Sequence, residues 1–183
     1  MPTIFTHPAV PLAIGFGLGK DIIPPRLMAA GVIASVTPDL DVIAFRLNIA
    51  YSSDWGHRGF THSLAFAVVL AFLVALVAPW LKAKRITTFL FVLVSAASHG
   101  LLDMLTTGGL GVALLWPYAS ERMFLPWRVI VVSPLSLWEF LGLRGWRVIG
   151  SELLWVWLPA AIGFVIIAIA TAGRRSGLTR GKR

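Results

Sequence analysis

The stretch SLAFAVVLAFLVALVAPW, residues 63–80, runs for 18 positions without a charged side chain. A run of that length and character suits the hydrocarbon core of a bilayer, which takes about 20 apolar residues of helix to cross. Two further runs read the same way, Ile86 to Leu102 and Glu152 to Ala172. The composition agrees, with 183 residues, 57% hydrophobic and 13% charged, where a soluble domain carries about a quarter charged residues. The expected fold is all-α, a polytopic integral membrane helical bundle of about four to five membrane-embedded helices plus an interfacial segment. One domain over residues 1–183 accommodates everything, since no extramembrane stretch has the length of a second.

Outward from that stretch the other segments are less regular. Pro8 to Gly19 is short, and Leu27 to Phe45 is interrupted by Pro38 and two aspartates. Met123 to Leu141 is apolar but holds Pro126, Arg128 and Pro134, which reads as interfacial or re-entrant. The C-terminal membrane helix is expected over 151–172, followed by a basic tail at 173–183. A cleavable signal peptide does not fit, because no basic region follows Met1 and His7 precedes the apolar run. There is no internal repeat and no low-complexity tract. Cysteine is absent, which removes disulfides and thiolate metal sites.

The net charge of +8 would suit nucleic acid if it formed a surface. Instead it concentrates in short turns and the tail, as the positive-inside rule predicts, so no nucleic-acid partner is expected. Lys82, Lys84 and Arg85 lie between two spans, and Arg174, Arg175, Arg180, Lys182 and Arg183 follow the last, so turn and C-terminus are expected in the cytoplasm. On that topology His7, the Pro38-Asp39-Leu40-Asp41 turn, His57, His62, His99 and Asp103 all fall at the outer face. Arg144 and Arg147 run against it, softened by an interfacial position. Trp116, Trp127, Trp138, Trp146, Trp155 and Trp157 read as anchors at the membrane–water boundary.

The polar residues that remain carry the chemistry. His99 and Asp103 in SHGLLDMLTTGG are spaced i,i+4, so on a helix both project from one face and suit one ion or two neighbouring ions. Thr37 precedes a proline and should leave the helix there. Asp39 and Asp41 are then expected in an extended turn, pointing to one side, to share a cation or bridge two. His57 and His62 in WGHRGFTHS are five apart, about 140° on a continuous helix, so they meet only if the chain turns, as Gly56 and Gly59 permit. Thr61 or Ser63 can cap the helix that follows. Imidazoles with carboxylates and no thiolates favour zinc, with manganese as the alternative. Four histidines and three aspartates exceed what one tetrahedral ion needs, so two or more ions fit the count, and such a site suits hydrolysis.

These residues form a recognisable pattern: His7, PDLD at 38–41, GHRGFTHS at 56–63, SHGLLDMLT at 98–106, LLWP at 114–117 and Arg122. In this the chain resembles the YdjM-like membrane-bound metal-dependent hydrolases over about residues 1–130; TTGG after the aspartate departs from a pattern in which proline is frequent there. The resemblance implies metal ligation by His7, Asp39, Asp41, His57, His62, His99 and Asp103. It also suggests a distant similarity to the zinc-dependent phospholipase C and P1 nuclease group. Asp39 or Asp41 is the candidate catalytic residue, activating water while the other binds metal. Asp54 and Glu121 are further candidate bases. Arg58 and Arg122 are candidates for holding an anionic substrate group, Arg58 through its planar fork. The expected function is hydrolysis of a phosphoester in a membrane lipid or lipid-linked substrate at the outer face of a bacterial-type inner membrane. The alternative is a non-enzymatic membrane metalloprotein or a metal transporter. A transporter would set its ionisable groups near the midplane, whereas here they gather at helix ends.

Overall fold

A computed structural model describes residues 1–134 and 136–180, with the side chains of 137 and 174–180 left aside. Of the tail expected at 173–183, the backbone of 173–180 continues the last helix, and 181–183 lie outside the described residues. The element order is α1 (Ala9–Leu18), α2 (Pro25–Val36), a 3-10 turn (Thr37–Val42), α3 (Ile43–Arg46), a 3-10 turn (Phe60–His62), α4 (Leu64–Leu76), α5 (Arg85–Met104), α6 (Leu137–Leu141), α7 (Leu143–Glu152), a π-helical turn (Leu153–Trp157) and α8 (Leu158–Arg180). The described residues form no strand, only isolated bridges joining Thr106 to Ile130 and Val112 to Met123.

Among the described residues, three helical runs are long and apolar enough to cross a membrane: Pro25–Arg46, Arg85–Met104 and Leu143–Gly173. The charge-free stretch at 63–80 is shorter as a helix than its composition suggests. Ser63 caps it, accepting from the Phe66 amide at 3.1 Å, but α4 stops at Leu76 after 13 residues, about 20 Å of rise. Pro79 lies just beyond, and proline disfavours helix at the residue before it. Four to five spans do not follow from helix length.

Packing explains why α4 stays against α5. Helices in lipid gain no hydrophobic force from one another, so close approach depends on small residues. Ala67, Ala71 and Ala75 recur every four residues on the buried side of α4. Ala67 and Ala71 belong to a core that includes Leu27 and Ala34 of α2 and Phe91, Val92 and Ala96 of α5. On α5 the buried polar positions Thr88, Ser95, His99 and Asp103 share a face with Val92, the three-to-four spacing of one helical stripe. A second cluster of Ala9, Leu102, Ile130 and Val156 joins α1, α5 and the C-terminal helix. The outer surface is apolar, with Val69, Phe72, Leu73, Leu90, Ile162 and Ile166 exposed.

His99 stands 14 positions beyond Arg85, about 21 Å along α5. The polar cluster therefore occupies one end of the bundle and the basic turn the other. The segment 123–134 has irregular backbone, and its Ile130 is fully buried against the cluster end of α5.

Candidate metal centre

Four separate stretches converge at that end. The turn before α1 brings His7, the 3-10 turn after α2 brings Asp39 and Asp41, the loop before α4 brings His57 and His62, and α5 brings His99 and Asp103. The turn at Pro38 tightens into 3-10 geometry instead of extending, because proline is tolerated in the first turn of a helix. Successive 3-10 residues rotate by about 120°, so Asp39 and Asp41 diverge. Each carboxylate consequently serves a different set of partners.

Asp39 meets His62, His99 and Asp103. His62 Nε2 lies 3.0 Å from His99 Nε2, 3.3 Å from Asp103 Oδ2 and 3.7 Å from Asp39 Oδ1. His99 Nε2 is 3.4 Å from the same Asp39 oxygen. Ligands about 2.0–2.1 Å from a zinc ion stand about 3.3 Å apart at the corners of a tetrahedron, and these separations straddle that edge. His7 adjoins the group, stacked on His99 with ring centroids 3.7 Å apart and Nε2 at 3.6 Å from Asp39 Oδ2. Both His7 nitrogens, both Asp39 oxygens and Asp103 Oδ1 are buried without a hydrogen-bond partner. Buried polar atoms left in that state are costly. The donor set fits a divalent ion.

Asp41 is engaged otherwise. Its Oδ1 accepts from His57 Nδ1 at 2.6 Å, and its Oδ2 accepts from the Arg58 amide at 3.1 Å and the Thr61 hydroxyl at 2.6 Å. His62 Nδ1 stands 3.2 Å from Oδ2. Asp39, Asp41, His57 and His62 still form a second group whose donor atoms lie within 4.8 Å of one another. His99 Nδ1 donates to the Ser35 carbonyl at 2.7 Å, which fixes the tautomer and turns the Nε2 lone pair toward the cluster.

Arg58 is fully buried. Its Nε pairs with Asp103 Oδ2 at 2.9 Å, Nη1 donates to the Gly108 carbonyl at 3.0 Å and Nη2 to the Thr106 hydroxyl at 3.1 Å. Its fork faces protein on every side. Arg122 donates to the His57 and Ser53 carbonyls, each at 2.8 Å, and is only partly buried.

Three buried carboxylates and one buried guanidinium leave two negative charges uncompensated, the charge of one divalent ion. Without an ion, protons on the imidazoles make up part of the deficit. Burial opposes the charged form of His62, but its contacts to Asp103, Asp39 and Asp41 outweigh that and hold it up at about 10. Burial, with His99 beside it, pushes His7 down to about 3.

The model of one family, described as YdjM inner membrane protein, matches residues 1–176. The chain belongs to this family. It is 52% identical to the inner membrane protein YbcI of Escherichia coli K12 over 163 residues, 88% of this chain and 94% of the relative. It is also 34% identical over 110 residues to the uncharacterized protein YvsG of Bacillus subtilis 168, covering 56% of this chain and 64% of that one. No solved structure matches.

In this YdjM-family chain, then, all seven candidate ligands gather at one end of the bundle. Asp54 is turned to Ser120, accepting from its hydroxyl at 3.0 Å, and Glu121 is exposed. Ser35 bears no signal in the sequence, since it contributes only its backbone carbonyl to the site. Arg58 adopts a left-handed backbone with φ 63°, although Gly56 and Gly59 flank it. Those glycines serve close approach instead: a Cβ on either would collide with the backbone carbonyl of Ala50 or Asp54.

Proposed function

We propose that the chain is a membrane-bound, divalent-metal-dependent hydrolase that cleaves a phosphoester in a lipid or lipid-linked substrate. The observation that carries the metal reading is the set of buried donors from Asp39, His62, His99 and Asp103, whose atoms all lie within 4.8 Å of one another. His7 is a fifth donor. Zinc fits the imidazole-carboxylate chemistry, with manganese as the alternative. Charge balance supports one ion in preference to two, since a second would leave the buried site with excess positive charge.

An ion held there supplies Lewis-acid activation of water and of the phosphoryl oxygen. The residues do the rest. Asp41 holds the Nδ1 proton of His57 at Oδ1 and fixes that ring, leaving Nε2 of His57 to carry a proton to or from the reacting group. Toward His62, the Oδ2 of Asp41 orients a ligand as outer-sphere carboxylates do. Arg58 balances the charge of Asp103 from within the protein, and Arg122, partly buried beside His57, is the cation we assign to an anionic headgroup. The positive-inside rule applied to Lys82, Lys84 and Arg85 puts the opposite end of α5, and so the site, at the outer face.

The near-complete burial of the donors favours a second reading, a coordinatively closed structural site. One experiment separates the two. Protein depleted of metal and reloaded with zinc or manganese is incubated with vesicles containing phospholipids and polyprenyl phosphates, and release of phosphate or headgroup is followed. Hydrolysis that requires the metal, disappears in Asp39→Asn and falls at least a hundredfold in His57→Gln with metal retained supports the hydrolase. Absence of turnover, with a cobalt-loaded spectrum insensitive to added phosphate, supports the closed site.

A further inference from the structure

Glu152 is a carboxylate inside the candidate span Leu143–Gly173, yet it is buried. An ionisable group at membrane depth is costly unless partnered, and all its partners lie about 150 residues away in sequence. Its Oε1 accepts from the Thr3 amide. Its Oε2 accepts from the hydroxyls of Thr3 and Thr6, each at 2.7 Å. Trp157 Nε1 adds a bond to the same Thr6 hydroxyl at 3.3 Å. A continuous α-helix would place residues 152 and 157 about 140° apart. The intervening π-helical turn, in which the Leu158 amide bonds back to the Leu153 carbonyl, brings both to one side.

The beneficiary is the residue after Thr6. His7 is fully buried and neither ring nitrogen has a hydrogen-bond partner. Apart from stacking on His99 and the approach of Nε2 to 3.6 Å from Asp39 Oδ2, beyond hydrogen-bond reach, its own side chain makes no contact that fixes where its nitrogens point. The backbone must do so, and Glu152 holds that backbone. We propose that Glu152 is a positioning residue that presents His7 to the metal centre, so that the C-terminal helix completes a site whose ligands all come from the first 103 residues. This rests on the metal reading given above.

The test is zinc affinity by competition with a chromophoric chelator, with the visible spectrum of the cobalt-substituted protein, on the full chain in detergent. Wild type is measured beside His7→Ala, Glu152→Ala, Glu152→Gln and the His7→Ala/Glu152→Ala pair. Loss of an outer-sphere partner typically weakens metal binding 10–100-fold. Glu152→Ala is expected to lose about that much and to acquire the cobalt spectrum of His7→Ala. Glu152→Gln, which keeps an acceptor, should recover most of the affinity. The double variant should bind no more weakly than His7→Ala alone, because both changes remove the same contact. Wild-type affinity and spectrum in Glu152→Ala, or losses that multiply in the double variant, would overturn the proposal while leaving the metal centre standing. If Glu152→Ala does not fold, Thr6→Val carries the same comparison with a smaller expected loss. A wild-type chain that takes up no ion would overturn the metal reading itself, and this proposal with it.

Discussion

Replacing Arg58 by leucine removes the one permanent positive charge from the centre of the cluster. The guanidinium pairs with Asp103 at 2.9 Å with both side chains fully inaccessible, so the substitution strands a buried carboxylate. Breaking a buried pair in this way costs about 3–5 kcal/mol. Leucine and arginine bear a similar penalty for the left-handed backbone at this position, so strain contributes little to the difference. In metal-loaded protein the ion binds Asp103 directly, and the one negative charge left over is shared among the three carboxylates and the imidazoles around them instead of resting on Asp103. The remaining loss is then the bonds to the Gly108 carbonyl and the Thr106 hydroxyl, about 1–2 kcal/mol together. For a chain of this size 1 kcal/mol moves Tm by about 2–4 °C. Arg58→Leu should therefore lower Tm by about 6–20 °C after chelation and by about 2–8 °C with zinc bound. Tryptophan fluorescence during thermal unfolding in a mild detergent reads both values. Equal shifts in the two states, or a chelated protein that melts within 2 °C of wild type, would refute the charge-balance reasoning.

Other expectations follow from single contacts. A Cβ at Gly100 would meet the His62 carbonyl, so Gly100→Ala should push α5 away from His62 and lower zinc affinity at least tenfold without removing a ligand, as chelator competition would show. Ser63→Ala removes the cap on α4 and should cost about 1 kcal/mol in denaturant unfolding, with zinc content unchanged. The pH dependence should reverse with metal. The metal-free fold holds His62 at about 10 against about 6.5 unfolded; that contribution is fully present below 6.5 and fades as pH rises toward 10. Zinc instead needs the imidazole deprotonated, so its affinity should climb as pH rises. Burial holds His7 and the N-terminal amine down, to about 3 and about 6, which opposes this trend below about pH 8, so chelated and loaded Tm curves should slope in opposite directions between pH 8 and 10.

The sequence carried much of this because the constraints are chemical. The i,i+4 pair His99 and Asp103 is legible on any helix of the length α5 reaches, and Pro38 marks the break at the end of α2. Other features depend on contacts that no spacing encodes. The stretch at 63–80 announces its solvent and not its backbone: Val77 to Trp80 are as apolar as the helix before them, yet the turn ahead of Pro79 ends α4 at Leu76. Asp39 and Asp41 diverge because the turn winds into 3-10 geometry, which a proline permits but does not dictate. Arg58 gave no sign of being buried, since its partner Asp103 lies 45 positions on. Glu152 reads in sequence as the polar edge of a span, and its role shows only once Thr3 and Thr6 are folded against it.

The most direct test of the metal centre is elemental mass spectrometry on detergent-purified protein prepared without chelator, wild type beside His99→Ala and Asp39→Ala. The donor geometry predicts about one divalent ion per chain, as charge balance suggests, lost in both variants while the fold persists. No ion in folded wild type, and none acquired on dialysis against zinc or manganese, would contradict it.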